Sequence, residues 1–419
     1  MGSATLACVR LPQRIDRAAG GLAADAALYA ISAVFALVTA LTSTLLPHRA
    51  WGAVAAWGYL VAFLVAAGQW ALHKPAWRLP STWVIWGATT LLPLVMQAVQ
   101  RADGRTDRAQ EEVLVVEHMG ERLAHTGTPY LSREAITALP PGEQLLGYSP
   151  YQPGMSIFGL PRAAGDVWWT DARIWFAVVT AAALVTAVRL LPTPISLVRP
   201  LQFATVLPIC ALTLATGGDD LPVLALCLLA LACCATGRYT AAGFAIGAAA
   251  SLKLFAFPVL AVLLVLAFTH GSLRRFLPGA LGLPILTLLP ACLVDGDSFV
   301  ENVLRFPLGH GVVTSPAQSP FPGYLIAQAL PGGRYVAAGL LVAVGLAIAF
   351  FLVRRPPRTA DTAALFCGWG LLAAILLMPT TRFGYLLYPL ALLVWSSALT
   401  LREPTATTAP RSDTALYRL

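Results

Sequence analysis

The sequence predicts an all-α polytopic membrane protein. Of its 419 residues 58% are hydrophobic, only 11% are charged, and the mean hydropathy is +0.72. Soluble domains carry about 25% charged residues. Long apolar runs recur along the chain, and a helix that crosses a bilayer needs about 20 apolar residues. This composition excludes a soluble globular enzyme, a disordered chain and a collagen-like fibre.

The apolar runs predict ten to twelve transmembrane helices. They lie near residues 25–46, 51–72, 82–100, 171–191, 200–216, 221–237, 239–252, 254–269, 276–293, 335–353, 361–378 and 383–401. The segment 239–269 fits either one long helix or two short ones that meet at Lys253, and the runs near 200–237 are short enough for a hairpin that only dips into the bilayer. We expect one transmembrane domain over residues 1–402 and a disordered cytoplasmic tail over 403–419.

The charge distribution predicts the orientation. No signal peptide precedes the first apolar run, which should therefore be a retained membrane anchor. With both termini in the cytoplasm, 16 of the 28 Lys and Arg residues but only five of the 20 acids lie inside, a net +11 against −3 outside. The formal net charge of +8 is thus no sign of nucleic-acid binding. This topology predicts a multi-pass plasma-membrane protein with two polar outer loops, at about 101–170 and 294–334.

The first outer loop contains a predicted amphipathic helix within Thr106–Gly127. Its apolar positions recur at spacings of three and four residues: Val113, Val116, Met119 and Leu123. Asp107 and Gln110 resemble a capping box, and Gly127 should end the helix. We expect this helix to lie in the membrane interface, with Glu117 on its solvated side.

Glu111 and Glu112 occupy the predicted first turn of that helix. Acids at this position complement the helix dipole. An ionised carboxylate at the membrane surface can also accept a proton from a sugar hydroxyl. Spacing alone leaves both interpretations open.

Other polar residues are candidates for binding. Lys253 interrupts an apolar run. A charged residue is costly in such a run, so Lys253 is a functional candidate by default. A lysine between two short helices can also extend its side chain to the membrane interface. Arg382 stands in an apolar, aromatic outer turn that suits phosphate binding. His310 in the second outer loop is a candidate hydrogen-bonding group, and Tyr148 and Tyr151 can stack on a sugar or a lipid headgroup.

Two further segments have a predicted conformation. Three prolines exclude a regular helix across Ser315–Gly323, which we expect to form a re-entrant loop. Asp219 and Asp220 are interpreted as marking a short outer turn. The cysteines show no spacing typical of a metal site, and Asp295 with Asp297 is too small a set for one. No cofactor and no divalent metal are predicted.

The motifs of the first outer loop resemble those of glycosyltransferase family 87, whose members typically show Asp-(Phe/Leu)-x-Val-Tyr, Gly-x-x-Pro-Tyr and Tyr-x-Pro followed by a further proline. Here Glu112–Val116 corresponds to the first motif, with Glu112 in place of the usual Asp and Val116 in place of the usual Tyr. Gly127–Tyr130 (GTPY) and Tyr148–Pro150 (YSP) with Pro161 match the others. The distance to Tyr130 fits Glu112 better than Glu111. The family includes polyprenol-phosphate-mannose-dependent mannosyltransferases with the GT-C membrane fold.

The resemblance implies a GT-C-like bundle that transfers a hexose from a polyprenyl-phosphate donor to a lipid- or glycan-linked acceptor. From the family, the hexose would be mannose. The transfer would take place at the outer face and would invert the anomeric centre. Glu112 would be the base, assisted by Glu111 or His310. Arg382 would hold the donor phosphate with Lys253 or Arg305. The residues expected to line the sugar or acceptor are Tyr130, Tyr148 and Tyr151. The alternative is a transporter or lipid flippase. Such proteins typically carry charges at the membrane midplane and internal repeats. Lys253 is the only feature that supports this alternative, because no internal repeat is evident.

Overall fold

The computed structural model describes residues 18–74, 77–191 and 197–400. Within these ranges every regular element is helical, and Gln318 and Thr381 form an isolated β-bridge. The predicted all-α polytopic membrane fold is confirmed. The tail predicted to be disordered, 403–419, lies outside the described residues.

The main helices are numbered in chain order. They are α1 (Leu22–Thr42), α2 (Leu46–Ala71), α3 (Arg78–Ala102), α4 (Glu111–Thr126), α5 (Ala172–Leu190), α6 (Val198–Ala204), α7 (Pro208–Thr216), α8 (Asp220–Ala235), α9 (Tyr239–Leu252), α10 (Ala256–Thr269), α11 (Leu273–Arg305), α12 (Pro322–Ala329), α13 (Gly333–Arg354), α14 (Ala360–Leu377) and α15 (Phe383–Ala398).

Each of the twelve predicted spans contains helix, but not all of these helices are long enough to cross a bilayer. Among the described residues seven helices are long and apolar enough, namely α1, α2, α3, α5, α11, α13 and α14. An eighth span results if α6 and α7, which meet at a bend of 42°, are counted together. The other predicted spans are the shorter apolar helices α8, α9, α10 and α15. Residues 239–269 form two helices that meet at Lys253, one of the two predicted alternatives.

Small residues allow α9 and α11 to pack closely. A Cβ atom on Gly243 would overlap the backbone of Phe276, and one on Gly247 would overlap the backbone of Gly279. In lipid, helices gain little from burying apolar surface against each other, so van der Waals contact between closely spaced backbones becomes a main source of association. These glycines therefore fix the pairing of the two helices.

The amphipathic helix of the first outer loop is α4, and its predicted apolar face is buried at Val113, Val116 and Met119. It ends at Gly127, whose φ of +76° is a conformation that glycine adopts without strain. The predicted capping box is wrong, because the side chain of Gln110 at the N-cap forms no hydrogen bond to the first turn of α4, and Asp107 binds Arg105 instead. That hydrogen bond lowers the pKa of Asp107 to about 2.

The helix α4 packs on the protein itself. Gly120 faces the backbone of Gly159. A Cβ atom on Gly120 would overlap main-chain atoms there. Glu117 is buried, contrary to the prediction of a solvated side. The guanidinium of Arg101 donates two hydrogen bonds to its carboxylate, at 2.7 and 2.5 Å, and thereby offsets the cost of burying the charge.

The apolar part of α11 ends at a kink at Asp295, where φ is −156° and ψ is 82°, close to the predicted end near 293. Helical structure resumes after the kink and continues to Arg305, so the second outer loop begins with helix that the sequence did not predict. The segment 315–321 is non-helical, as the prolines predict, and α12 begins at Pro322. Part of this segment pairs with the chain before α15. The N–H of Thr381 donates to the carbonyl of Ala317 at 3.0 Å, and the N–H of Ser319 donates to the carbonyl of Thr381 at 2.9 Å.

Candidate active site

A cavity of about 760 Å³ lies among the ends of several helices. Its wall includes the start of α4, the turn between α7 and α8, the junction of α9 and α10, and the segment before α15. Acidic, basic and aromatic side chains share this wall with many apolar ones. Large, mostly apolar pockets with a few converging polar groups are the usual form of a small-molecule site.

Glu112 and Arg382 form an ion pair in the cavity wall. Glu112 lies in the first turn of α4, and Arg382 immediately precedes α15. Glu111 also lines the cavity but is exposed, and it forms no ion pair with any residue in the described ranges. The structure therefore brings together the two predicted carboxylates and the predicted phosphate-binding arginine.

The segment 315–321 holds the backbone on both sides of Arg382. Besides the two bonds of Thr381, the N–H of Phe383 donates to Oγ of Ser319 at 2.9 Å. Ser315, Pro316 and Ala317 belong to the cavity wall. Hydrogen bonds on both sides of Arg382 therefore hold the backbone that carries its guanidinium.

The start of α4 is joined to the turn between α7 and α8. The N–H of Gln110 donates to the carbonyl of Thr216 at 3.0 Å, and Oγ1 of Thr216 donates to Oε1 of Gln110 at 2.8 Å. Gly217 follows, and a Cβ atom at this position would lie 2.9 Å from Oε1 of Gln110 and 3.8 Å from Oε2 of Glu112. The absence of a side chain at Gly217 allows the turn to approach the Glu112 carboxylate.

A fully buried arginine at the start of α5 reinforces this junction. Arg173 donates to both carboxylate oxygens of Asp171, at 2.9 and 2.8 Å. Its Nη1 atom also donates to the carbonyl of Arg108 at 2.7 Å and to that of Ala215 at 3.1 Å. The first carbonyl precedes α4 and the second precedes the turn at Gly217, so one guanidinium nitrogen joins both segments.

Lys253 lies in the cavity wall between two buried carboxylates. Its Nζ atom is 2.7 Å from Oδ2 of Asp219 and 2.5 Å from Oδ1 of Asp220, which also accepts a hydrogen bond from Tyr388. The ammonium also lies above the ring of Tyr151, 5.3 Å from the centroid. The two aspartates provide the counter-charge of the buried lysine.

Tyr148 forms part of the cavity wall near the second outer loop. Its ring stacks on Phe306 with centroids 4.1 Å apart. The hydroxyl donates to Oε1 of Glu301 at 2.8 Å and accepts from the N–H of Val312 at 2.7 Å. Burial of this phenol raises the pKa of Tyr148. The residue therefore connects α11 to the loop that follows it.

The sequence pattern of glycosyltransferase family 87 matches residues 149–379, more than half of the chain. The chain belongs to glycosyltransferase family 87. No curated protein and no solved structure gives a significant match. The matched region of this glycosyltransferase includes most of the cavity wall, while Glu112 and Arg382 flank it on either side. The fold brings these two residues together in the cavity wall, although neither lies within the matched region.

Three of the predicted site residues do not line the glycosyltransferase cavity. Tyr130 is buried behind the wall, where its hydroxyl donates to the carbonyl of Tyr151 at 2.8 Å and supports that residue. Arg305 is largely exposed and lies 3.7 Å from Glu301. His310 is exposed, and its carbonyl accepts a hydrogen bond from Arg133 at 2.9 Å.

Sequence reasoning missed the role of Asp219 and Asp220, which it interpreted as marking a turn. A buried lysine needs a counter-charge, and two adjacent acids before an apolar helix were the available signal. His48 was also overlooked, although it lines the cavity with Gln110. Nothing in the local pattern at the start of α2 distinguishes His48 from a solvated histidine.

Proposed function

We propose that this glycosyltransferase moves a hexose, expected to be mannose, from a polyprenyl-phosphate donor to a hydroxyl of a lipid- or glycan-linked acceptor. The ion pair between Glu112 and Arg382 in the cavity wall carries the proposal. A carboxylate that can accept a proton and a guanidinium that can bind a phosphate lie side by side. These are the two charges that such a transfer requires.

The apolar part of the wall supports a lipid-linked donor. It includes the side chains of Phe35, Leu207, Ile209, Leu212 and Phe255. A polyprenyl chain would bury its hydrocarbon against this surface while its phosphate reaches Arg382. A donor delivered by the bilayer also accounts for the lack of a Gly-rich phosphate loop in the sequence.

In the proposed reaction Glu112 accepts the proton of the acceptor hydroxyl. The hydroxyl oxygen attacks the anomeric carbon from the side opposite the leaving group, and a new glycosidic bond forms with inversion. The bond between the anomeric carbon and the phosphate oxygen breaks, and its electron pair leaves with the polyprenyl phosphate. Arg382 stabilises the charge that develops on this leaving group. We expect no cofactor or divalent metal.

The ion pair implies an order of events. While Arg382 holds Glu112, the carboxylate is a poorer proton acceptor, because protonation would cost the ion pair. A donor phosphate competes with Glu112 for the guanidinium and releases the base. Donor binding would therefore precede activation of the acceptor hydroxyl.

Lys253 is less suited than Arg382 to the donor phosphate, because Asp219 and Asp220 already neutralise its charge. We propose that it holds these carboxylates in place, where they can accept hydrogen bonds from sugar hydroxyls beside Tyr151. Glu111 remains the second candidate base, since it lines the cavity without an ion-pair partner among the described residues.

We place the reaction at the outer face of the plasma membrane. Helix α13 ends in Arg354 and Arg355, and α14 then runs from Ala360 back to the cavity wall at Met378. By the positive-inside rule the arginine end is cytoplasmic. The cavity lies at the opposite ends of these helices, which supports the outer location.

The deciding experiment is transfer of mannose from polyprenyl-phosphate-mannose by the purified protein. We expect Glu112→Gln to lower the rate by about 10²–10⁴-fold, the usual contribution of a general base. Glu111→Gln tests the second candidate base one residue away and should retain most activity if Glu112 is the base. Undiminished transfer by Glu112→Gln refutes the assignment of the base. If no variant transfers sugar while reconstituted vesicles move a lipid, the transporter alternative replaces the proposal.

A further inference from the structure

Six exposed arginines lie together at the end of the bundle opposite the cavity. They occupy the turns between α8 and α9, between α10 and α11, and between α13 and α14: Arg238, Arg274, Arg275, Arg354, Arg355 and Arg358. We call this set the arginine face. The turn between α10 and α11 contacts both of the others, because the rings of Tyr239 and His270 lie 5.6 Å apart and Oγ1 of Thr269 donates to the carbonyl of Pro357 at 3.3 Å.

The arginine face carries uncompensated charge. None of its six guanidinium groups forms an ion pair with an acid in the described part of the chain. Other arginines behave differently, since Arg78 and Arg199 bind the buried Asp25 at 2.6 and 3.0 Å. Six like charges on neighbouring turns repel one another, so their proximity indicates an anion supplied from outside the described chain.

The surroundings of the face identify the source of that anion. Helix α13 is almost entirely exposed along its apolar length, with 11% of its span buried, and must face lipid. Phe350 and Phe351 are each 55% exposed just before its end. Arg354 folds back over the ring of Phe350, with the guanidinium 5.2 Å from the ring centroid. This guanidinium therefore lies at the boundary between hydrocarbon and headgroups, where lipid phosphates are the available anions.

We infer that the arginine face is a binding site for anionic phospholipid headgroups. Arginine presents paired N–H donors that match the oxygens of a phosphodiester. Clusters of four to eight basic residues immediately beside a transmembrane helix are typical of such recognition. The face binds lipids of the leaflet opposite the proposed reaction, and the inference does not rest on the glycosyl-transfer mechanism.

The test measures retention of phosphatidylglycerol by the full-length protein, using native mass spectrometry after purification in detergent supplemented with phosphatidylglycerol or phosphatidylcholine. We expect wild type to retain phosphatidylglycerol in preference to phosphatidylcholine. In the triple variant Arg354→Gln, Arg355→Gln, Arg358→Gln the affinity should fall by about fivefold for each arginine removed. The triple variant Arg238→Gln, Arg274→Gln, Arg275→Gln tests the other two turns.

The matched control removes three exposed arginines at the cavity end: Arg49, Arg105 and Arg334. This control lowers the net charge equally, and we expect it to retain phosphatidylglycerol as wild type does. Thermal unfolding of all variants checks that they are folded. Equal losses in the control and the face variants, or equal retention of both lipids by wild type, overturns the inference. Binding of a soluble acidic protein to the face without any lipid preference overturns it as well.

Discussion

Arg382 and Glu112 are 270 residues apart in the sequence, and their side chains form an ion pair in the wall of the cavity. The contact joins the first outer loop to the turn before the last described helix. Both residues lie outside the region that matches glycosyltransferase family 87, one before it and one after it.

Replacing Arg382 should weaken donor binding. We expect Arg382→Gln to raise the KM for polyprenyl-phosphate-mannose by about ten- to a hundredfold, since a hydrogen bond to a charged group contributes about 1.5–3 kcal/mol. The KM for the acceptor should change less. Steady-state kinetics with each substrate varied in turn measures both. Arg334→Gln, an exposed arginine near the same end, is the control, and an unchanged donor KM in Arg382→Gln contradicts the assignment.

Removing the charge of Lys253 should destabilise the protein. Lys253→Met leaves Asp219 and Asp220 buried without their cation, and breaking a buried ion pair costs about 3–5 kcal/mol. Thermal unfolding in detergent should show a clear fall in Tm. Adding Asp219→Asn and Asp220→Asn should restore much of the stability, because no unpaired charge then remains. If the triple variant is as unstable as Lys253→Met, the electrostatic explanation is wrong.

Arg173 should act as a positioning residue for Glu112. Arg173→Met removes the two hydrogen bonds through which its guanidinium joins the segment before α4 to the turn at Gly217 and leaves the direct bonds between Gln110 and Thr216 in place. We expect kcat to fall by about 10²-fold with little change in donor KM, because displacement of a reacting group by about 1 Å has this effect. Arg173→Lys should recover part of the rate. A parallel change in kcat and KM, or loss of folding alone, would indicate a purely structural role.

The packing of α4 depends on Gly120. A Cβ atom there would overlap the backbone at Gly159, which cannot move aside as a flexible side chain can. Gly120→Ala should lower the free energy of unfolding by about 1–3 kcal/mol and reduce transfer, because α4 carries Glu112. Gly142→Ala is the matched control, since nothing lies within 4 Å of that Cβ position. Wild-type stability in Gly120→Ala would show that α4 is not docked in this way.

Much of the fold was predictable because bilayer thickness imposes a direct rule on composition. Each apolar run became helix, and the break at Lys253 was one of two stated alternatives. The helix boundaries were harder to predict. Helix α11 is kinked at Asp295, and its second part continues to Arg305 through a stretch that is polar enough to resemble a loop. Glu301 and Asn302 are buried in this part, where they accept hydrogen bonds from Tyr148 and Ser149.

The candidate site was predictable where a charge contradicted its surroundings. This criterion identified four charged residues that all line the cavity: Glu111, Glu112, Lys253 and Arg382. The partners of these charges were not predictable, since Asp219 reaches Lys253 only through the packing of α8 against α9. Glu117 illustrates the same limit, because Arg101, Asp171 and Arg173 converge on one buried network from separate parts of the chain.

The pairing of Thr381 with Ala317 and Ser319 has a mechanical consequence. The same short stretch forms one wall of the cavity and fastens the backbone on both sides of Arg382. Because the two stretches are joined, we expect any displacement of the segment 315–321 to move the backbone of Arg382 with it. The position of the guanidinium relative to Glu112 is then governed by two hydrogen bonds between main-chain atoms and one to the hydroxyl of Ser319.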